Sequence, residues 1–178
     1  NLLEPDDRIV VAVSGFFAQR IAEIAARLAA QVAVIEAPWG RAVDPADVAR
    51  AVAQAPTKVV AATHVETSTG VLQPVREYAR AAHDGGALML VDAVASLGGT
   101  DLPVDAWAID ACYSGSQKCL SAPPGMAPLT VSDRVDRILI HKVWGWLAFL
   151  GMMALMFFCI FVVADKPMGW IEDGFNWL

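Results

Sequence analysis

The chain has 178 residues, a formal net charge of −6, a pI near 4.9, 56% hydrophobic residues and a mean hydropathy of +0.47. No Lys/Arg cluster or basic helix face is present, which excludes nucleic acid as a partner. Three cysteines, Cys112, Cys119 and Cys159, lack metal-ligand spacing and are odd in number, so they point to a reducing compartment and not to a disulfide framework.

The elements follow one another regularly. Residues 2–7 read as the end of a helix and a turn. The β-branched run Arg8-Ile9-Val10-Val11-Ala12-Val13 predicts a buried strand, broken by Ser14-Gly15. Residues 16–30 carry Ile21, Ile24, Ala25 and Leu28 on one helical face. A second strand spans 32–35. Asp44-Pro45 is an N-cap with proline in the first turn of a helix reaching residue 54. Strands at 58–63 and 87–91 flank a helix at 74–83, and two more strands fall at 109–113 and 127–131. Continuous apolar strands alternating with helices predict an α/β fold whose parallel sheet is covered on both faces.

In such a sheet, ligands bind at the carboxyl ends of the strands. Asp92, directly after Val91, falls there as a ligand-binding acid or a turn cap. The hydroxyls of Val65-Glu66-Thr67-Ser68-Thr69-Gly70 fall at the same edge, to bind a ligand or satisfy turn amides. Lys118, in Ser114-Gly115-Ser116-Gln117-Lys118, has no acidic neighbour in sequence. If its surroundings desolvate it, it suits imine formation, because only a neutral amine attacks a carbonyl.

Three motifs in order, Thr63-His64-Val65-Glu66-Thr67-Ser68-Thr69-Gly70-Val71, Leu90-Val91-Asp92-Ala93-Val94-Ala95-Ser96-Leu97-Gly98-Gly99 and Tyr113-Ser114-Gly115-Ser116-Gln117-Lys118 with Ala122-Pro123-Pro124-Gly125, resemble class V pyridoxal-phosphate aminotransferases, in particular the alanine/serine–glyoxylate branch. The resemblance covers residues 1–134 and implies part of a fold type I large domain. It implies transamination between alanine or serine and glyoxylate or another 2-oxo acid, with pyridoxal 5'-phosphate as cofactor and a homodimer as the assembly. Lys118 then corresponds to the imine-forming lysine and later general base. Asp92 pairs with the pyridine nitrogen, and Val94 and Phe17 pack on the two ring faces, Phe17 being otherwise a core residue of its helix. Thr67 approaches the phenolic oxygen and Gln117 the phosphate. The family's phosphate-binding turn is expected upstream of Asn1, and its substrate arginine and small domain after residue 134. A chain without them is expected to have impaired activity.

Residues 143–164 contain no charge over 22 positions, 11 of them Leu, Ile, Phe or Val. As a helix they span roughly 33 Å, enough to cross a bilayer core. Trp144, Trp146 and Trp170 sit near its ends. Arg134, Arg137 and Lys142 before it, against Lys166 after it, put residues 1–142 on the cytoplasmic side of a membrane. Without that tail the expected location is cytoplasmic. Residues 168–178 predict a short interfacial helix. The segment from Arg134 to Gly145, with Pro167-Met168-Gly169-Trp170-Ile171, is similar to the start of the membrane domain of ferrous-iron transport protein B. The domain expectation is therefore 1–134 and 135–178. Two further readings stand beside transamination: a membrane-anchored fragment without catalysis, and an iron-transport component acting through the tail.

Overall fold

A computed structural model describes residues 2–132 together with Leu150, Met153, Ala154 and Phe158. The chain divides into two compact units, Asn1–Asp136 and Arg137–Leu178. In the second, the four described residues are helical, and Leu150 and Phe158 are exposed. The expected helices over 143–164 and 168–178 lie outside the described residues. Among the described residues, no helix is long and apolar enough to cross a membrane.

The first unit is one six-stranded sheet in the order β2-β1-β3-β4-β5-β6, with β1 Arg8–Val13, β2 Gln31–Glu36, β3 Val59–Thr63, β4 Leu88–Asp92, β5 Ala111–Tyr113 and β6 Leu129–Val131. The first five strands are parallel and β6 is antiparallel to β5. Three helices connect them: α1 Phe16–Arg27, α2 Pro45–Gln54 and α3 Val75–Asp84. The expected helical end at residues 2–7 is absent. Leu2 and Leu3 are extended and pack at the edge of the core, followed by a turn at Pro5-Asp6.

β1 and β3 are almost wholly buried because both sheet faces are covered. On one face Val10, Ala12, Val60, Ala62, Met89 and Val91 pack with residues of α2 and α3. On the other, Ile9, Val11, Val13, Val59 and Ala61 meet Ala18, Ala22 and Ala25 of α1. This bears out Ala25 and Ile21 of the expected stripe on α1 and corrects Ile24 and Leu28. The small alanines let the helix approach the sheet closely, and the larger Ile24 and Leu28 are left 52% and 42% exposed. α1 also ends earlier than residue 30. Leu28 caps it, and Ala29 takes a left-handed φ of 59° from which its carbonyl accepts the Asp6 N–H at 3.0 Å.

Asp44 caps α2 as expected, its Oδ1 accepting the Ala46 N–H at 2.8 Å. Arg8 closes the other end of α2. Its guanidinium donates to the Ala51 and Ala55 carbonyls at 3.1 and 3.2 Å and to the Thr57 hydroxyl. Between α2 and α3 the fully buried Tyr78 donates its hydroxyl to the Val43 carbonyl at 2.6 Å. Tyr78→Phe would leave that carbonyl without its partner. The expected cost is about 1–3 kcal/mol, read as a lower urea midpoint at unchanged slope.

Candidate functional site

The strand order reverses at β1: β2 lies to one side, and β3, β4 and β5 to the other. A crevice at the carboxyl ends of the strands is expected there. The register aligns Ala12, Ala62, Val91 and Cys112 across β1, β3, β4 and β5, with Thr63, Asp92 and Tyr113 in the next row. Four of the segments that leave this edge matter here: residues 14–15 after β1, 64–74 after β3, and the paired segments after β4 and β5.

Asp92 ends β4. Its Oδ1 accepts the Val94 N–H and its Oδ2 the Tyr113 hydroxyl, both at 2.8 Å. Burial pushes the Asp92 carboxyl above the ordinary carboxylate range, the Glu66 charge adds to this, and the two hydrogen bonds act against it. Burial beside Asp92 also raises the Tyr113 hydroxyl and pushes the Cys112 thiol up to about 11. Tyr113 therefore stays a neutral donor.

The segment carrying Lys118 is stitched onto the Asp92 loop at three points. The Ala93 N–H donates to the Tyr113 carbonyl at 2.8 Å, the Ser114 hydroxyl to the Ala93 carbonyl at 3.1 Å, and the Cys119 thiol to the Ala95 carbonyl at 3.2 Å. Gly99 makes the last contact possible, since a Cβ there would stand 2.5 Å from Cys119 Sγ. Lys118 itself lies in an exposed turn, as does Gln117. The described residues thus do not supply the desolvation expected of an imine-forming lysine.

In the β3–α3 loop, the Ser68 hydroxyl accepts the Phe16 N–H at 2.9 Å and donates to Glu66 at 2.7 Å. The Thr69 hydroxyl donates to the Ser14 carbonyl at 3.1 Å. Two of the three loop hydroxyls therefore satisfy local groups. Thr67 is exposed, with no hydrogen bond from its hydroxyl to a described residue. Phe17 is not a core residue. It is the second residue of α1, 41% exposed, with its ring edge-on to that of Phe16 at 5.5 Å. Val94 is half-buried beside Asp92. Sequence reasoning missed Tyr113 and Glu66 as members of this edge. The signal for Tyr113 was its place at the end of the strand beside Asp92. Among the described residues no group of His, Cys, Asp and Glu could hold a metal ion.

The model of the family described as Aminotransferase class-V matches residues 1–145. The chain belongs to the class-V aminotransferase family. The (S)-ureidoglycine–glyoxylate transaminase of Bacillus subtilis is 42% identical over 142 residues, which are 80% of this chain and 34% of that protein. The alanine–glyoxylate aminotransferase of Oryctolagus cuniculus is 42% identical over 134 residues, 75% of this chain and 34% of the relative. The crystal structure of the alanine–glyoxylate aminotransferase from a Nostoc species superposes with a TM-score of 0.74 at 36% identity, covering 79% of this chain and 38% of that one. The chain therefore spans about a third of the length of the curated relatives it matches. These matches carry nothing of ferrous-iron transport, and that expectation finds no support in them.

Class-V aminotransferases depend on pyridoxal phosphate. Asp92 fits that group. It is a largely buried carboxylate with no described cation paired to it, and its two recorded hydrogen-bond donors are both neutral. A protonated ring nitrogen would supply a positive charge there. Without it, ionised Asp92 opposes folding. A raised folded value means the group favours the folded chain below the ordinary value of 3.8 and loses that as pH rises through the folded value. Asp92→Asn is thus expected to raise the thermal midpoint of the cofactor-free chain at pH 7, by about 2–4 °C for each kcal/mol of relieved burial. The gain should shrink as pH falls toward 4, in melts followed by circular dichroism.

Proposed function

We propose that this chain is the central part of the large domain of a pyridoxal-phosphate aminotransferase acting on a small amino acid, alanine or serine, and on glyoxylate or another 2-oxo acid. The observation that carries the reading is the triple stitch between the Asp92 and Lys118 segments, which holds an acid and a lysine at one sheet edge. The glyoxylate aminotransferases among its relatives support the substrate class.

Pyridoxal phosphate bound at this edge supplies an electron sink for breaking the bond between the substrate's α-carbon and its hydrogen. Asp92 would keep the ring nitrogen protonated, with Tyr113 and the Val94 N–H holding the carboxylate in place. Val94 and Phe17 would enclose the ring, Thr67 Oγ1 would bond near its phenolic oxygen, and Gln117 would reach the phosphate. Lys118 Nζ would anchor the group and, as a free amine, act as the general base that takes the proton from the substrate's α-carbon. A second copy of the chain would serve as dimer partner.

The test is titration of the full chain with pyridoxal phosphate. A visible absorbance band is expected that Lys118→Ala lacks, and the variant's single-turnover rate with alanine should fall at least about 10²-fold. The same band in the variant, or none in the parent chain, overturns the reading.

A second observation favours a membrane anchor on the same protein, with residues 1–142 facing the cytoplasm. It is the 22 uncharged residues of 143–164. After an alkaline wash of membranes from expressing cells, the full chain should stay in the pellet and a chain ending at residue 142 should not. Release of both would sink the anchor.

A further inference from the structure

Glu66 has no role in the reaction proposed above, yet it is fully buried, and the recorded partners of its carboxylate include no cation. Its Oε1 accepts the Phe17 N–H at 3.2 Å, the Ser68 N–H at 3.1 Å and the Ser68 hydroxyl at 2.7 Å. Its Oε2 accepts the Ala18 N–H at 3.0 Å and lies 3.5 Å from the Thr63 hydroxyl. Burial pushes this carboxyl up, but the hydrogen bonds from Ala18, Ser68 and Phe17 outweigh it and hold it below the ordinary range.

The partners are the free amides of α1's first turn. The N-cap of that helix is Gly15, which has no side chain to offer, and the first turn contains no acid. Glu66 fills both vacancies from 48 and 49 residues away, setting a negative charge against the positive end of the helix. Gly15 is required for the approach, because a Cβ there would stand 2.4 Å from Ser68 Oγ and 2.6 Å from Glu66 Cγ. Every partner of Glu66 is a donor, so both oxygens must accept. A glutamine would turn an NH₂ toward donors whichever way it faced.

Phe17 belongs to this turn. Its ring stands outside the core, so its direction is set by the backbone of α1's start and by Phe16. We propose that Glu66 is a positioning residue for the cofactor ring: by fixing the first turn of α1 it holds the Phe17 ring over the edge where Asp92 lies. This rests on the reading of Phe17 as a ring-stacking residue given above.

Two measurements on the full chain test it. In Glu66→Gln without cofactor, the Phe17 and Ala18 amides should exchange hydrogen roughly tenfold faster, with β1 and α3 unchanged. With pyridoxal phosphate, the circular dichroism induced in the cofactor band should fall alike in Glu66→Gln and Phe17→Ala, and the double variant should lose no more than either. Ser68→Ala, at an exposed position, should shift both readouts less in the same direction, and it serves where Glu66→Gln does not fold. Unchanged exchange at Phe17 and Ala18 overturns the proposal. So does an additive loss in the double variant, which would make Glu66 a stabilising group unconnected with the ring. If the parent chain forms no Lys118-dependent band, the functional reading falls and the positioning role with it. The exchange rates then still decide whether Glu66 caps α1.

Discussion

A buried carboxylate held by donors from the first turn of α1 and from the loop after β3 fixes the point where this sheet changes direction. Glu66 sits at the switch between β1 and β3, and each of its oxygens accepts at least one backbone N–H, a group that can only donate. Without it, the turn after β1 and the loop after β3 would each carry unsatisfied amides at the same edge. Its ionisation is itself stabilising. A lowered folded value means the contribution is fully present above the ordinary value of 4.5 and disappears as pH falls through the folded one.

Asp92 works in the opposite sense. It shares the edge with Glu66 and feels its charge, but it has two neutral donors where Glu66 has four hydrogen bonds that outweigh burial. For one acid the hydrogen bonds of the fold therefore outweigh burial, and for the other they do not. Two carboxylates whose surroundings push them apart are a common mark of a division of labour at a site. Here Glu66 shapes the backbone, and Asp92 retains capacity for a cation brought from outside. Relieving its burial helps the empty chain only by removing what the cofactor would pair with.

Local patterns made most of the fold legible. β1 and α2 appear where β-branched runs and the Asp44-Pro45 cap put them, and the sheet is parallel through its first five strands, as continuous apolar runs imply. The face of α1 was misread because Ile24 and Leu28 dominate any apolar count. The sheet accepts only the short side chains of Ala18, Ala22 and Ala25 at close approach. The strand expected at 127–131 appears as β6, but its antiparallel direction had no signal, since three residues cannot declare one. Asp92 ends β4 and Lys118 lies in a turn, as their neighbours in sequence imply. The role of Glu66 was not legible, because the two helix amides it caps lie 48 and 49 residues away and are backbone groups, which carry no sequence letter.

The cover on the sheet is also uneven, and this follows from α1. α2 and α3 seal one face across β1, β3 and β4. On the other face α1 packs on β1, β2 and β3, and Leu88 and Leu90 of β4 remain half-buried. Phe16, Ile24 and Leu28 add exposed apolar surface at helical spacing along α1 itself. Such surface favours association in water unless something packs on it. The first turn of α1 lies at the end of this apolar surface, so the cap that orients Phe17 has to withstand whatever α1 packs against. A cap built from one charge and several donors, and not from a single hydroxyl, suits a helix whose exposed side carries Phe16 and Ile24 beside Arg20, Glu23 and Arg27.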